Sequence, residues 1–407
     1  MVPEGWIEGR VGDLLIGLES GVSVNGENKP LQANDKGVLK VSAVSYGQFL
    51  PSAAKVMEDK EIYRAKTNPK AGQIIVSRSN TAELVGASAF IKKDYPDLFL
   101  PDKLWQTIPK KESDMKWLSY VLSTDHTRYI LSNLATGTSG SMKNITKNEL
   151  LSLKIIIPPS TEQKKIAKIL STWDNAITVT EQLLANSQQQ KKALMQQLLT
   201  GKKRFPEFNE DWTKRPISDF IKESRIPGSS GDIAQKITVK LYARGVFPKK
   251  EKRLGSESTK YYKRQSGQFI YSKLDFLNGA LGIIPKSLDG YESTLDLPAF
   301  DFLPGTDHKW FVYFVSREEF YKAKIGLANG SRKARRVNPK DFLTLKIGTP
   351  GLKEQQKIAS VLTCADKEIE NLKQKINYLK QEKKALMQQL LTGKRRVRIE
   401  NKDKLKG

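Results

Sequence analysis

The string KKALMQQLLTGK occurs twice in this chain, at residues 191–202 and, without a change, at 383–394. Chance does not repeat twelve residues in this way, so the sequence reads first as a tandem duplication. The 192-residue offset holds backwards without a gap to Leu153 and Leu345, and the 52 aligned pairs that end at Arg204 and Arg396 contain 27 identities. Weaker matches follow further upstream. Trp117 pairs with Trp310 at offset 193, Gly72 to Arg78 with Gly267 to Lys273 at 195, and Trp6 and Asp13 with Trp212 and Asp219 at 206. The drifting offset means that each half opens with a variable head and closes with a near-constant stem.

The stem is a helix signal. Pro158-Pro159 blocks the preceding apolar run, Ser160 with Gln163 has the spacing of a capping box, and no Gly or Pro intervenes before Gly201. About 40 residues at ~1.5 Å each predict a helix of ~60 Å. Apolar side chains recur at alternating spacings of four and three: Ile358, Leu362, Ala365, Ile369, Leu372, Ile376, Leu379, Leu386 and Leu390 in the second stem. Ile166, Leu170, Trp173, Ile177, Leu184, Leu194 and Leu198 keep this register in the first, with Thr180, Ser187 and Lys191 also in the stripe. Such a heptad seam is too long to bury against a small head, so the two stems should pack on one another. Pseudo-twofold symmetry favours antiparallel stems with one head at each end, which would bring Gly393 beside the start of the chain and make the molecule cyclic in outline.

The heads, 1–152 and 205–344, are mosaics of short apolar runs cut by Gly, Asn and Pro, and read as mixed α/β. The spacing predicts strands at Ile74 to Val76 and around Phe99, one helix from Trp117 to Leu131, and a last strand-like run from Leu150 to Ile157. The stems are 153–204 and 345–396, and 397–407 is a basic tail expected to be disordered. The fold class is therefore α+β: two α/β heads separated by two long helices in an antiparallel coiled coil.

With 407 residues there is room for several domains, each with its own core. No apolar run approaches ~18 residues and the N-terminus lacks a signal pattern, so no membrane association is expected. The single cysteine, Cys364, excludes an internal disulfide, fits the cytoplasm, and should simply pack. The net charge of +25, divided as +8 over residues 1–204 and +17 over 205–407, calls for a polyanionic partner, most simply nucleic acid.

DNA recognition needs cations on phosphates and fork-like or amide groups on base edges. The leading candidate is the glycine-containing basic loop with Ser331, Arg332, Lys333, Arg335 and Arg336, matched in the first head by Ser139, Lys143 and Asn144. The plain alternative is a solvated charge run. Arg78 and Lys273, which close matched strands, and Lys249, Lys250 and Arg253 are further candidates; Ser77 and Ser272 are weaker ones. Trp117 and Trp310 belong to the core.

Catalysis has little support. His126 and His308 occupy unrelated repeat positions, which argues against a histidine acid/base pair or metal site, and no phosphate-binding loop of the G-x-x-x-x-G-K-[S/T] type occurs. Neither an Asn/Asp-Pro-Pro-aromatic motif nor a glycine-rich loop for S-adenosylmethionine is present.

The Ile-Pro-Pro-x-x-Glu-Gln-x-x-Ile-Ala opening of the stem from Ile157 to Ala167, its Leu-Leu-Thr-Gly-Lys close and the head-stem-head-stem order resemble the specificity subunits of type I DNA restriction-modification systems. The second copy departs in having Pro350-Gly351. The resemblance implies that the heads are target recognition domains reading a bipartite, asymmetric site in double-stranded DNA. It further implies partnership with two modification (methyltransferase) subunits, for which the repeated helix ends are docking candidates, and with restriction subunits. No cofactor is expected on this chain; S-adenosylmethionine, ATP and Mg would serve the partner subunits. Rival expectations are a specificity subunit of a methylation-only system and a structural coiled-coil adaptor.

Overall fold

The structure, a computed structural model, describes residues 2–45, 47–137, 142–250, 255–323, 328–329 and 336–398. The chain forms two compact units, one of residues 1–180 with 375–407 and one of residues 181–374. The tail residues 399–407 lie outside the described residues.

In the first unit the head is tied shut by its own ends. Strand Ile7–Arg10 pairs antiparallel with Lys154–Ile157, Ile7 opposite Ile157. Between them lies a four-stranded sheet in the order Ser88–Phe90, Ile74–Ser77, Leu104–Pro109, Leu15–Ser20. A second sheet runs Leu98–Phe99, Gly37–Leu39, Ala54–Met57, Gly26–Glu27. The strand at 74–77 is buried at every position, and Trp117 beneath it is fully enclosed.

Two sequence expectations change here. The helix expected from Trp117 to Leu131 is two helices, Met115–Leu122 and Asp125–Leu134. The break arises because Asp114 and Thr124 each accept from the backbone N–H three residues on, so each starts a helix of its own. Leu150 is not in the closing strand but in a short helix, Lys147–Leu151, started by a capping box between Thr146 and Glu149.

The second unit repeats the plan. Strand Thr213–Pro216 pairs with Lys346–Thr349, and a four-stranded sheet runs Leu281–Ile283, Phe269–Tyr271, Ala299–Phe302, Ile221–Ser224. Its core is aromatic, with Phe269, Tyr271, Phe276, Phe300, Phe311 and Phe342 in mutual ring contact.

The stem helices are Ser160–Leu198 and Leu352–Leu390, each of 39 residues, closed by Gly201 and Gly393 at φ +71° and +68°. The capping box expected at Ser160 does not form. The residue ahead of the helix is Pro159, which has no N–H to receive it, and Gln163 instead donates to Pro158 O (2.9 Å) and accepts from Asp114 N (3.2 Å). Gln355 makes the same pair with Pro350 O and Asp307 N.

Each unit joins the start of one stem to the end of the other, antiparallel. In the first unit, Glu162 meets Arg396 and Asp174 meets Lys383; in the second, Glu354 meets Arg204 and Asp366 meets Lys191. The buried glutamates also accept from the head's tryptophans, Glu162 from Trp6 Nε1 (3.2 Å) and Glu354 from Trp212 Nε1 (3.1 Å). Leu390 and Leu391 enter the first head's core beside Ile166, Leu170 and Trp117, while Leu198 and Leu199 enter the second's beside Ile358, Leu362 and Trp310. Burial of each such leucine contributes about 1.5–3 kcal/mol. The seam residues are all buried or half-buried, and the polar positions in the stripe are accommodated: Thr180 donates to Ala176 O, Ser187 reaches Glu368, and Lys191 binds Asp366.

The identity of the two helix ends thus has an internal use, since both must fill equivalent head pockets and meet equivalent acids. The chain's end does lie beside its beginning: Arg396 donates to Glu4 O (2.6 Å), and a Cβ on Gly393 would fall 2.4 Å from Pro3 Cγ.

Candidate nucleic-acid interface

The heads carry their candidate cations on one shared backbone frame. In the first, Arg78 follows strand 74–77, its N–H donating to Lys103 O (3.0 Å) and its carbonyl accepting from Ile145 N (2.9 Å). In the second, Lys273 follows strand 269–271, with its N–H on Asp296 O (2.9 Å) and its carbonyl accepting from Val337 N (3.0 Å). These equivalent bonds make Arg78 and Lys273 counterparts, as the sequence match implied, and place Asn144 and Arg336, each one residue earlier than its donor, in counterpart positions.

Strand Lys143–Asn144 pairs with Ser79–Asn80, so Arg78, Lys143 and Asn144 are brought into one cluster. Strand Arg336–Val337 pairs with Ala328–Asn329 and joins Lys273 through Val337. Lys143 Nζ bonds Gly137 O (2.7 Å), which holds the loop base, and Asn144 exchanges both backbone bonds with Thr136. Arg78 is half-buried, its guanidinium 5.9 Å from the Trp105 ring centroid and its Nε buried without a hydrogen-bond partner among the described residues. Arg336 is exposed, with Nε 3.6 Å from Asp296. The counterpart positions therefore differ chemically: Arg78 against Lys273, Asn144 against Arg336, and Lys103 against Asp296.

Lys103 and Asp296 were missed from sequence. They join through single backbone bonds, from segments just ahead of strands Leu104–Pro109 and Ala299–Phe302, and differ between the repeats, so no periodicity or identity marks them. Lys249 and Lys250 are exposed and directly follow strand Val246–Pro248, which pairs with Ile237–Val239 in a sheet of its own. Ser77 and Ser272 are buried and serve the turns that follow them, accepting from Asn80 Nδ2 and Asp275 N. Ser139, Arg253, Ser331, Arg332, Lys333 and Arg335 lie outside the described residues.

Among the described residues no group of His, Cys, Asp and Glu could hold a metal ion, and no described helix is long and apolar enough to cross a membrane. His126 is exposed and His308 stacks on Phe302 at 4.0 Å. Cys364, expected to pack, is exposed instead: its stem position faces away from the seam.

The type I restriction modification DNA specificity domain matches residues 3–186 and again 209–381. The putative type I restriction enzyme MjaX specificity subunit of Methanocaldococcus jannaschii is 25% identical over 98% of this chain and 95% of its own length. The EcoEI specificity subunit of Escherichia coli is 27% identical over 46% of this chain and 31% of its own. Among solved structures, the S subunit of the type I system from M. genitalium superposes with a TM-score of 0.58, at 13% identity and 96% coverage of both chains, a likeness of fold. The HsdS subunit of Thermoanaerobacter tengcongensis gives 0.51 at 16% identity, covering 96% of this chain and 98% of its own. Matched in both of its halves, the chain belongs to the family of the type I restriction modification DNA specificity domain.

Proposed function

We propose that this chain is the DNA sequence-specificity subunit of a type I restriction-modification complex, reading a two-part asymmetric site and directing methyltransferase and restriction subunits to it. The observation that carries the reading is the pair of matched frames with unmatched side chains. The same backbone positions offer an arginine and an amide in one head and a lysine and an arginine in the other, so the two heads should read different bases. The chemistry resides in the partners: S-adenosylmethionine serves the modification subunits, ATP and Mg the restriction subunits, and DNA-binding residues of this chain supply the address. Arg78, Lys143 and Asn144 form the centre of the reading surface of the first head, and Lys273 and Arg336 that of the second, each extended by its basic loops.

The test is to co-express the chain with its modification subunit in a methylation-free host and map methylated bases genome-wide by single-molecule sequencing. A two-part, asymmetric motif is expected; a soluble complex that leaves no new methylation overturns the reading. In a second measurement, duplex affinity of the complex should fall steeply with salt, with a log–log slope of about −0.9 for each phosphate contacted. A salt-insensitive complex would point to a protein adaptor.

A further inference from the structure

The second head contains a turn that folding alone does not favour. Strands Ile237–Val239 and Val246–Pro248 form a hairpin whose tip holds Tyr242 at φ +58° and Ala243 at φ +52°. These are the two non-glycine residues with positive φ among the described residues. Consecutive left-handed residues at a hairpin tip normally demand Asn-Gly or a close equivalent, because a Cβ crowds the backbone there. Tyr-Ala is a poor choice sterically, and it gains nothing by burial: Tyr242 is 62% exposed.

The surroundings hold the tip in this shape. Tyr242 N donates to Asn278 O (2.9 Å), Ala243 N to Gly279 O (2.7 Å), and Lys240 N to Gly245 O (2.9 Å). Gly279 is itself left-handed, and a Cβ there would meet the Tyr321 ring at 3.0 Å and Tyr242 Cα at 3.3 Å, so the approach needs glycine. Strain held by surrounding structure marks sites kept for a purpose other than stability.

The chemistry displayed fits one occupant. From Lys240 to Lys250 the chain has four exposed cations, Lys240, Arg244, Lys249 and Lys250, and no acid. Arg244 is exposed, lies over the Tyr242 ring at 5.7 Å, and makes no ion pair among the described residues. Phe247, on the returning strand, is 46% exposed. Exposed cations alternating with exposed rings complement a polyanion that also offers flat aromatic surfaces. The first head hangs a hairpin from the corresponding sheet edge: Gly47 N donates to Ser88 O (3.0 Å) in strand Ser88–Phe90, whose counterpart is Leu281–Ile283, and Gln48 is exposed on this hairpin. The heads thus present hairpins of different sequence at matched sheet edges.

We infer that hairpin 237–248 is a DNA-reading finger of the second head, in which Arg244, steadied by the Tyr242 ring, contacts a base edge and determines specificity at one or two positions of one half-site. The inference rests on the proposed function and names residues that carry it. Arginine offers two parallel donors to the O6 and N7 acceptors of a guanine, the geometry that a ring stacked on its guanidinium would hold in place.

The test uses the intact chain co-expressed with its modification subunit, compared with wild type in the same host. One variant is Arg244→Ala. The other replaces Tyr242→Asn together with Ala243→Gly, which favours the turn and keeps the hairpin folded while removing the ring. Both should relax one or two positions in one half of the methylated motif, with discrimination there falling roughly tenfold or more, and leave the other half unchanged. An unchanged motif in both variants overturns the finger, and so does an even loss of methylation with both halves still fully specified, which would mark a general phosphate contact. If the wild-type complex itself leaves no motif, the specificity-subunit reading falls and the finger falls with it.

Discussion

Replacing Arg264 with alanine should cost the second head about 3–5 kcal/mol, the largest stability loss expected from a single polar residue in this chain. Arg264 is fully buried and makes no ion pair among the described residues. Its Nε donates to Ser293 Oγ (2.7 Å), Nη1 to Ser224 O (3.0 Å) and Nη2 to Leu297 O (3.2 Å), with the Tyr262 ring at 5.7 Å. The side chain therefore pins the end of strand Ile221–Ser224 to the 293–297 turn. Alanine would strand those acceptors in the interior and leave a cavity as well. Thermal unfolding of the variant should show the transition of this head lowered by about 10 °C, whereas an unshifted transition would show that water can replace the guanidinium.

Burial lowers the Arg264 pKa to about 10, with Glu223 opposing the shift. The folded value lies below the unfolded one, so unfolding takes up protons only between the two. Over about pH 6 to 9 the residue is charged in both states, and the difference between wild type and variant should stay flat.

The second large effect is expected from Lys383→Glu. Lys383 Nζ lies 2.6 Å from Asp174 Oδ1, over the Tyr120 ring at 5.2 Å, and Tyr120 OH donates to the other oxygen of Asp174 at 2.5 Å. Burial, and then the bond to Asp174, push the Tyr120 hydroxyl well above its ordinary range, so it remains a donor at any working pH. Burial also lowers the Lys116 ammonium nearby, against the pull of Asp174. A carboxylate at position 383 would face Asp174 in a partly desolvated seam and should destabilise the first unit by about 2–4 kcal/mol. Pairing it with Asp174→Lys restores opposite charges but loses the acceptor for Tyr120, so a double-mutant cycle should recover about 1–2 kcal/mol. Zero coupling would mean that the pair is incidental. Lys191→Glu is the parallel experiment in the second unit, where Lys191 and Tyr313 hold Asp366 in the same way.

This clamp illustrates what was legible from sequence. The match of Asp174 with Asp366 and of Lys383 with Lys191 lies in the repeat itself, yet a lysine in an apolar stripe gives no sign of its partner. Its purpose emerges only when the end of one stem is laid against the start of the other. Likewise Glu162-Gln163 and Glu354-Gln355 stood out as identities, but that the glutamates bind a head tryptophan and an arginine from the opposite stem involves partners over 140 residues away. At the interface, Arg78 and Lys273 could be matched through their strands, whereas Lys103 and Asp296 could not, and nothing in the sequence singled out Tyr242 and Arg244.

The sequence by itself determined the duplication, the extent of both stem helices, the antiparallel seam and the family. Those properties are encoded locally, in residue identity at a constant offset, in a 3.5-residue period, and in the prolines and glycines that start and stop a helix. The tertiary structure alone decided that Leu390 and Leu391 fill the first head's core and Leu198 and Leu199 the second's, that Arg264 is buried against hydroxyl and carbonyl acceptors, and that a strained turn lifts Tyr242 and Arg244 outward. Each of these depends on contacts between residues far apart in the chain, where burial and hydrogen-bond partners, rather than any local preference, determine the conformation.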